Sequence, residues 1–363
     1  MNWPDTDTAV KLRREFAART VPDPASPWRV PFERVPRHVF VPCFYRQDTA
    51  GIWNAVNWGD RGYLDAVYSD AALTTQIDEQ NIPTSSSSQP TLMLAMLEAL
   101  DPQPGQSVLE LGTGTGYNLA LLADRLGDHQ LVSMEPDEML AAAAIRHLQH
   151  AGHQPMVIAG DGTLGYPRCA PYDRIISTVG LTHIPPALLA QGISGTQIVA
   201  PLGYGIVNLT LADAGHATGR FLPIPAQFMA TRGPAVHPPA FDAARDAPLE
   251  KAKVAPERIL DSLKFPLSLA LPGHTTCSWN DADGRRLAVG IWTPDGSTAI
   301  AHVDGSVRQV GPGRVWDTVE AVAADLPETI TREDFHVTIT AGGQVVVYGE
   351  PGGPQWHLPV PAR

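Results

Sequence analysis

Three glycines spaced two apart, Gly112, Gly114 and Gly116, lie in VLELGTGTGYN, between an apolar run and a helix-like run. Without Cβ atoms such a loop turns tightly and lets a ligand approach the backbone. The spacing alone is weak, because an ordinary strand-to-helix turn reads the same way. The acids around it add weight. Glu110 precedes the loop, Glu135 ends the next apolar run 19 residues beyond Gly116, and Asp161 follows the third run in AGDGTLGY. A carboxylate at Glu135 can accept two hydroxyl hydrogen bonds from a ribose, and Asp161 can meet an adenine amine. A dinucleotide asks for Gly-x-Gly-x-x-Gly with its pyrophosphate at a helix N-terminus. Here the pattern is Glu-x-Gly-x-Gly-x-Gly, and Glu110 would repel a pyrophosphate. A cofactor carrying an ammonium and a sulfonium is attracted instead, which points to S-adenosylmethionine.

A second candidate is the serine run in PTSSSSQP, residues 83–90. One reading is a polar linker that caps the helix after Pro90, with Ser85 and Ser87 as caps. The other is a strip of hydroxyl donors at a pocket. A carboxylate acceptor would suit such donors. It is already ionised at neutral pH and needs no general base, only alignment and shielding from water.

These residues need a frame. Apolar positions four apart predict a helix over 90–100, and a buried strand follows at 107–112. Helices over 117–126 and 137–151 alternate with strands at 130–135, 155–160, 172–180 and 196–202. That alternation predicts an α/β fold, a Rossmann-like parallel sheet with helices on both faces. Residues 6–19 read as a helix. Residues 46–85 are polar and turn-rich and read as an irregular cap, with Trp53, Trp58 and Tyr63 read first as an ordinary hydrophobic contact and second as walls of a peptide groove. Beyond residue 215 the alternation stops. Hairpins around Asp295-Gly296 and Gly342-Gly343, with a helix over 315–326, predict an added α+β region, and 250–258 reads as a solvated helix start. The expected division is 1–85 as an N-terminal cap and substrate region, 86–215 as the cofactor-binding domain, and 216–363 as a C-terminal extension.

Composition narrows the function. A net charge of -12 disfavours nucleic acid as a partner. The three cysteines, Cys43, Cys169 and Cys277, are far apart and form no zinc or disulfide pattern, so no metal is expected. The opening residues lack the apolar core of a secretory signal, and no apolar run is long enough for a membrane span. A soluble, cytoplasmic protein is expected.

With these residues placed, the chain resembles the protein-L-isoaspartate O-methyltransferase family over residues 34–205. The resemblance is carried by VPRHVFVP, YSDAALTTQ, SSSQP, VLELGTGTGY, the block GDGTLGYPRCAPYDRIISTVGLTHIP, and PLG at 201–203. It implies carboxyl O-methyl transfer from S-adenosylmethionine to a peptide or protein. It places Ser88 and Ser86 in the catalytic segment. Glu110, Gly112, Thr113, Gly114, Gly116, Glu135, Asp161 and Gly162 become cofactor contacts. Beside it, Arg37, Ser87, Thr91 and His183 are candidate substrate contacts, with Arg37 read equally as the partner of an acidic neighbour and His183 more readily as structural. Two positions depart from the family pattern at the acceptor side: Thr91 stands where histidine is frequent, and Gly180-Leu181 replaces an alanine pair. The length and the tryptophans at 316 and 356 resemble enlarged actinobacterial members associated with ribosomally made modified peptides, the graspetides and lanthipeptides. That likeness implies an aspartate in a macrocyclised precursor as acceptor, with the ester leading to aspartimide or isoaspartate. Two alternatives stand beside it: a general isoaspartate repair methyltransferase, and a non-catalytic peptide-binding protein on the same fold.

Overall fold

The computed structural model describes residues 3–213, 215–229 and 241–359. Contacts divide the chain into two units. One holds residues through Val179, Pro185–Ala200 and Asn208–Ala217, and the other holds Gly180–Ile184, Pro201–Val207 and the chain from Thr218 on.

In the first unit, helix α1 (Asp7–Thr20) is capped by Thr6, whose hydroxyl accepts from the Ala9 N–H. Two short helices follow, α2 (Arg29–Arg34) and α3 (Arg37–Phe40). Next come strands β1 (Cys43–Gln47) and β2 (Trp53–Asn57), helix α4 (Tyr63–Val67), and strands β3 (Leu73–Ile77) and β4 (Pro83–Ser87). The four strands form an antiparallel sheet in the order β2-β1-β3-β4. Residues 46–85 are thus not irregular, as their composition predicted. Strands of five residues with polar side chains on the open face carry almost no periodic signal. Val41, Phe44, Tyr63, Val67 and Leu73 make the core beneath them, with Trp58 packed against it. Tyr63 therefore belongs to that core and not to a groove wall.

Helix α5 (Pro90–Leu100) starts with proline in its first turn and buries Met93, Leu94, Met96, Leu97 and Leu100. Burial of each such side chain is worth roughly 1.5–3 kcal/mol. The parallel sheet is built from β5 (Val108–Leu111), β6 (Leu131–Glu135), β7 (Met156–Ala159), β8 (Tyr172–Ser177) and β9 (Gly192–Leu202). Helices α6 (Tyr117–Leu126), α7 (Glu138–His150) and α8 (Pro186–Ala190) connect them. The spatial order is β9-β8-β5-β6-β7. The chain runs outward from β5 through β6 to β7, then returns to β8 on the other side of β5. That reversal opens a crevice beyond the carboxyl ends of β5 and β8, the place where open α/β sheets bind ligands. The first 85 residues, expected as a separate cap, fall within the same unit as this sheet.

Strands β10 (Gly205–Asp213) and β11 (His216–Phe221) contribute residues to both units. In the second unit, α9 (Phe241–Asp246) is followed by β12 (Glu250–Lys251) and a single 3-10 turn at Pro256–Leu260, not by a helix beginning at 250. Helix α10 (Lys264–Ala270) precedes β13 (Thr275–Asn280), β14 (Arg286–Trp292), β15 (Thr298–His302) and β16 (Ser306–Val310). These four strands and β12 form an antiparallel sheet in the order β12-β16-β15-β14-β13. The β14–β15 hairpin turns at Asp295-Gly296 as predicted, with Gly296 in the left-handed region at φ 87°. Helix α11 (Val315–Asp325) buries Trp316. Strands β17 (Phe335–Thr340), β18 (Gly343–Tyr348) and β19 (Gln355–His357) close the described chain as an antiparallel set. No helix among the described residues is long and apolar enough to cross a membrane.

Candidate active site

The glycine loop leaves β5 with Gly112 at φ 88° and Gly114 at φ 51°. A Cβ on Gly112 would stand 2.7 Å from Val179 Cγ1 and 2.8 Å from Thr178 Oγ1, so only glycine fits there. Thr178 in turn donates its hydroxyl to the Gly112 carbonyl at 2.6 Å, joining the carboxyl ends of β5 and β8. The loop amides are already spent. Gly112 and Thr113 donate to the Met134 carbonyl, Gly116 to the Thr113 carbonyl, and Gly114 to Glu135 Oε2 at 2.9 Å. A pyrophosphate would find few free N–H donors here and two nearby carboxylates.

The acceptor groups have the opposite bias. Glu135 ends β6 and is 6% exposed. Its second oxygen, Oε1, accepts from the Asp137 N–H at 3.2 Å. A backbone donor on each oxygen orients the Glu135 carboxylate at the carboxyl end of β6. Asp161 caps a 3-10 turn (Gly162–Leu164), taking the Thr163 N–H and hydroxyl on Oδ1 and leaving Oδ2 without a hydrogen bond among the described residues. Gly162 packs against Leu111, where a Cβ would meet Leu111 Cγ at 3.2 Å. Hydroxyl and amine donors of an adenosine match this set, and S-adenosylmethionine fits the residues present.

Glu110 has a different place from the one its sequence position suggested. It is 1% exposed. Oε1 accepts from Asn118 Nδ2 at 2.7 Å and Oε2 from Ser133 Oγ at 2.6 Å, while Thr113 Oγ1 lies 2.6 Å from that same serine oxygen. Glu110 and Thr113 thus brace the loop from beneath through a buried network. Burial pushes the Glu110 carboxyl up to about 7, against the hydrogen bonds from Ser133 and Asn118, with the charge of Glu135 adding to the rise. Sequence reasoning missed Ser133 and Asn118. A serine inside the apolar strand LVSME was the available signal, because a buried hydroxyl there needs a partner.

A raised carboxyl makes stability fall as pH rises. The folded protein keeps the Glu110 proton up to about 7, whereas the unfolded chain loses it near ~4.3. Between those values folding takes up a proton, and above them the penalty is on the order of 3 kcal/mol. Glu110→Gln cannot titrate, and Asn118, whose Oδ1 lacks a partner, can flip to accept from the new amide. Urea denaturation across pH 4.5 to 8 should therefore show the wild type losing stability relative to Glu110→Gln by about 3 kcal/mol. Parallel pH profiles would contradict the buried-acid account.

The serine run forms strand β4 and not a pre-helix cap; Gln89 occupies the cap position without a side-chain bond. Strand alternation then sorts the hydroxyls. Ser85 and Ser87 point inward, 6% and 3% exposed. Ser85 accepts from Thr75, and Ser87 Oγ accepts from Arg37 at 3.3 and 3.2 Å. Ser86 lies on the other face and Ser88 just past the end of the strand, both half-buried, with no side-chain hydrogen bond among the described residues. A Cβ on Gly114 would lie 3.7 Å from both Ser85 Oγ and the Ser86 carbonyl, so β4 runs in contact with the cofactor loop.

Three proposed substrate contacts are otherwise engaged. Arg37 is 0% exposed. Its guanidinium donates to the carbonyls of Val67, Ser69, Ala71, Ser87 and Ser88 as well as to the Ser87 hydroxyl. No N–H remains for a substrate carboxylate. Ser87 is buried and accepts from that arginine, and the Thr91 hydroxyl donates to Asp70 at 2.7 Å. His183 lies in the loop that follows β8, half-buried, 3.3 Å from the Thr182 hydroxyl. Burial pushes its pKa down, which keeps the imidazole neutral.

This sheet, switch-point crevice and acceptor set define a Rossmann-like S-adenosylmethionine-dependent methyltransferase. Comparison with known proteins narrows the class. The model of the protein-L-isoaspartate(D-aspartate) O-methyltransferase family matches residues 54–214. A protein-L-isoaspartate O-methyltransferase of Methanopyrus kandleri is 36% identical over 47% of this chain and 66% of its own length. One from Archaeoglobus fulgidus is 36% identical over 47% of this chain and 69% of its own, and one from Pelobacter propionicus 33% over 53% and 74%. A solved protein-L-isoaspartate O-methyltransferase superposes with a TM-score of 0.54 at 20% identity, covering 94% of this chain and 99% of its own. The chain belongs to the protein-L-isoaspartate O-methyltransferase family, and is a carboxyl O-methyltransferase.

Proposed function

We propose that this chain methylates the free carboxylate of isoaspartyl residues in peptides or proteins. The observation that carries the proposal is a pair of half-buried hydroxyls without a side-chain hydrogen bond among the described residues, Ser86 on the outward face of β4 and Ser88 just past its end, on a segment that touches the glycine loop. When bound, S-adenosylmethionine would supply an electrophilic methyl on a sulfonium, whose sulfur would keep the bonding pair as the acceptor oxygen took the methyl. The chain's own residues bind, orient and shield. Glu135 and Asp161 hold hydroxyl and amine donors. Ser86 and Ser88 donate to the acceptor carboxylate and fix its attack angle. No residue needs to take a proton, because the acceptor is already ionised. Arg37 holds Ser87 and the carbonyl of Ser88, and so sets the direction of both free hydroxyls.

Removing one donor should slow the reaction without abolishing it. A hydrogen bond to a charged group is worth about 1.5–3 kcal/mol, so Ser86→Ala and Ser88→Ala should each lower kcat/KM by roughly 10- to 100-fold. Initial rates with an isoaspartyl peptide check this. Unchanged rates for both variants would remove the serines from the site.

A macrocyclised ribosomal peptide is the second reading. Chain length does not favour it, since a solved isoaspartate O-methyltransferase aligns with 94% of this chain. The relatives' own description as isoaspartate O-methyltransferases favours the isoaspartyl acceptor. The departures at Thr91 and Gly180-Leu181 are the observations that keep a macrocycle in view. Turnover of isoaspartyl peptides of unrelated sequence supports repair-type breadth. Methylation confined to a cyclised peptide bearing an ordinary aspartate would replace it with tailoring.

A further inference from the structure

The serine strand β4 and the carboxylate of Glu135 lie in the same unit, and a chain of hydrogen bonds joins them. On β4 the Thr84 hydroxyl donates to Gln76 Oε1 at 2.8 Å. Gln76, on β3, donates from Nε2 to Asp137 Oδ2 at 3.2 Å. The Asp137 N–H donates to Glu135 Oε1, and Glu135 Oε2 accepts from the Gly114 N–H. Gln76 reaches both sides because the ladder between β3 and β4 is irregular there. Thr74 pairs with Ser86 and Gln76 with Ser85, so Thr75 is an extra residue. Such a bulge re-aims side chains. Thr75 turns its hydroxyl to Ser85 at 3.3 Å, and Gln76 bridges Thr84 to the start of α7. Asp137 is fixed from its other oxygen as well, since Oδ1 caps α7 by accepting from the Met139 and Leu140 N–H groups. Both ends of the Gln76 amide are therefore used, one on the strand that carries Ser86 and one on the residue that orients Glu135.

We propose that Gln76 is a positioning residue that couples the cofactor side of the site to the acceptor side: a cofactor held at Glu135 stiffens β4 through Asp137 and Gln76, and so fixes Ser86 for the acceptor. This rests on the roles proposed above for Glu135 and Ser86. It adds the route by which one acts on the other.

The donor and acceptor of the central bond can be exchanged. Gln76→Glu keeps an oxygen for Thr84 but sets a carboxylate against Asp137. Adding Asp137→Asn restores the bond in reverse, with the new amide donating to the new carboxylate and an oxygen left to cap α7. The double variant has the charge of the wild type. The first readout is amide exchange over residues 84–88 with and without S-adenosylhomocysteine, the cofactor less its methyl. In the wild type the ligand should slow this exchange by about 10-fold, in Gln76→Glu by less than about twofold, and in the double variant by about 10-fold again. The second readout is kcat/KM for an isoaspartyl peptide, which should fall about 10- to 100-fold in Gln76→Glu and return to within about threefold of wild type in the double variant. Affinity for S-adenosylhomocysteine should stay within about threefold throughout, and it reports folding of each variant. Gln76→Met, which removes both bonds without adding charge, keeps the comparison open should Gln76→Glu fail to fold, and it should lose the slowing too. Equal slowing in wild type and either folded single variant would overturn the proposal, as would a double variant no better than Gln76→Glu. A wild-type protein that methylates no isoaspartyl peptide would overturn the underlying function instead, and the exchange measurement would still decide whether the coupling exists.

Discussion

Arg37→Met is expected to lower stability by about 3–5 kcal/mol and to take methyl transfer with it. The guanidinium is fully buried and meets no carboxylate within hydrogen-bond distance among the described residues; carbonyl dipoles from Val67, Ser69, Ala71, Ser87 and Ser88 solvate its charge. Burial lowers its pKa to about 10, which still leaves it charged at neutral pH. Deleting it strands those carbonyls and releases the segment that carries the free serines. Thermal melting should show a fall on the order of 10 °C. Arg37→Lys should recover little, because one ammonium cannot reproduce a planar fork reaching several carbonyls. A melting temperature within about a degree of wild type for Arg37→Met would show that the arginine is not the keystone of β4.

The second large effect is on the cofactor. Glu135→Ala removes the acceptor that receives the Gly114 and Asp137 N–H groups and, on the proposed reading, would take the ribose hydroxyls of the bound cofactor. Each such bond to a charged group is worth about 1.5–3 kcal/mol, so affinity for S-adenosylmethionine should fall by at least 100-fold. Glu135→Gln keeps an acceptor oxygen and should lose closer to 10-fold. Titration calorimetry reads both values. Equal affinities for wild type and Glu135→Ala would mean that the cofactor lies elsewhere than at the carboxyl end of β6.

The parallel sheet was legible because its elements repeat one physical signal. VLEL, LVSME and YDRIIS are short apolar runs flanked by periodic helices, and the first two keep within one residue of their predicted limits while the third stops at Ser177, three residues short. Ser86 and Ser88 were named through family likeness. Their separation from Ser85 and Ser87 depends on strand parity, which a run of four identical residues cannot display. Arg37 was misread as a substrate contact for a related reason: its partners lie 30 to 51 residues away and are carbonyls, which have no side-chain identity to detect. Thr91 was misread because its partner, Asp70, sits in a turn-rich stretch that gave no sign of reaching helix α5. The hairpins at Asp295-Gly296 and Gly342-Gly343 were visible from turn chemistry, whereas the tie between Gln76 and Asp137 spans 61 residues and has no local signature.

The most direct test of the central claim is mass spectrometry on two peptides of one sequence, one with isoaspartate and one with aspartate, each incubated with the protein and S-adenosylmethionine. The account predicts a single added methyl on the isoaspartyl peptide, located as an ester at that residue by fragmentation and lost in mild base, with the aspartyl twin unmodified. An isoaspartyl peptide that stays unmodified while the protein binds S-adenosylmethionine would contradict it.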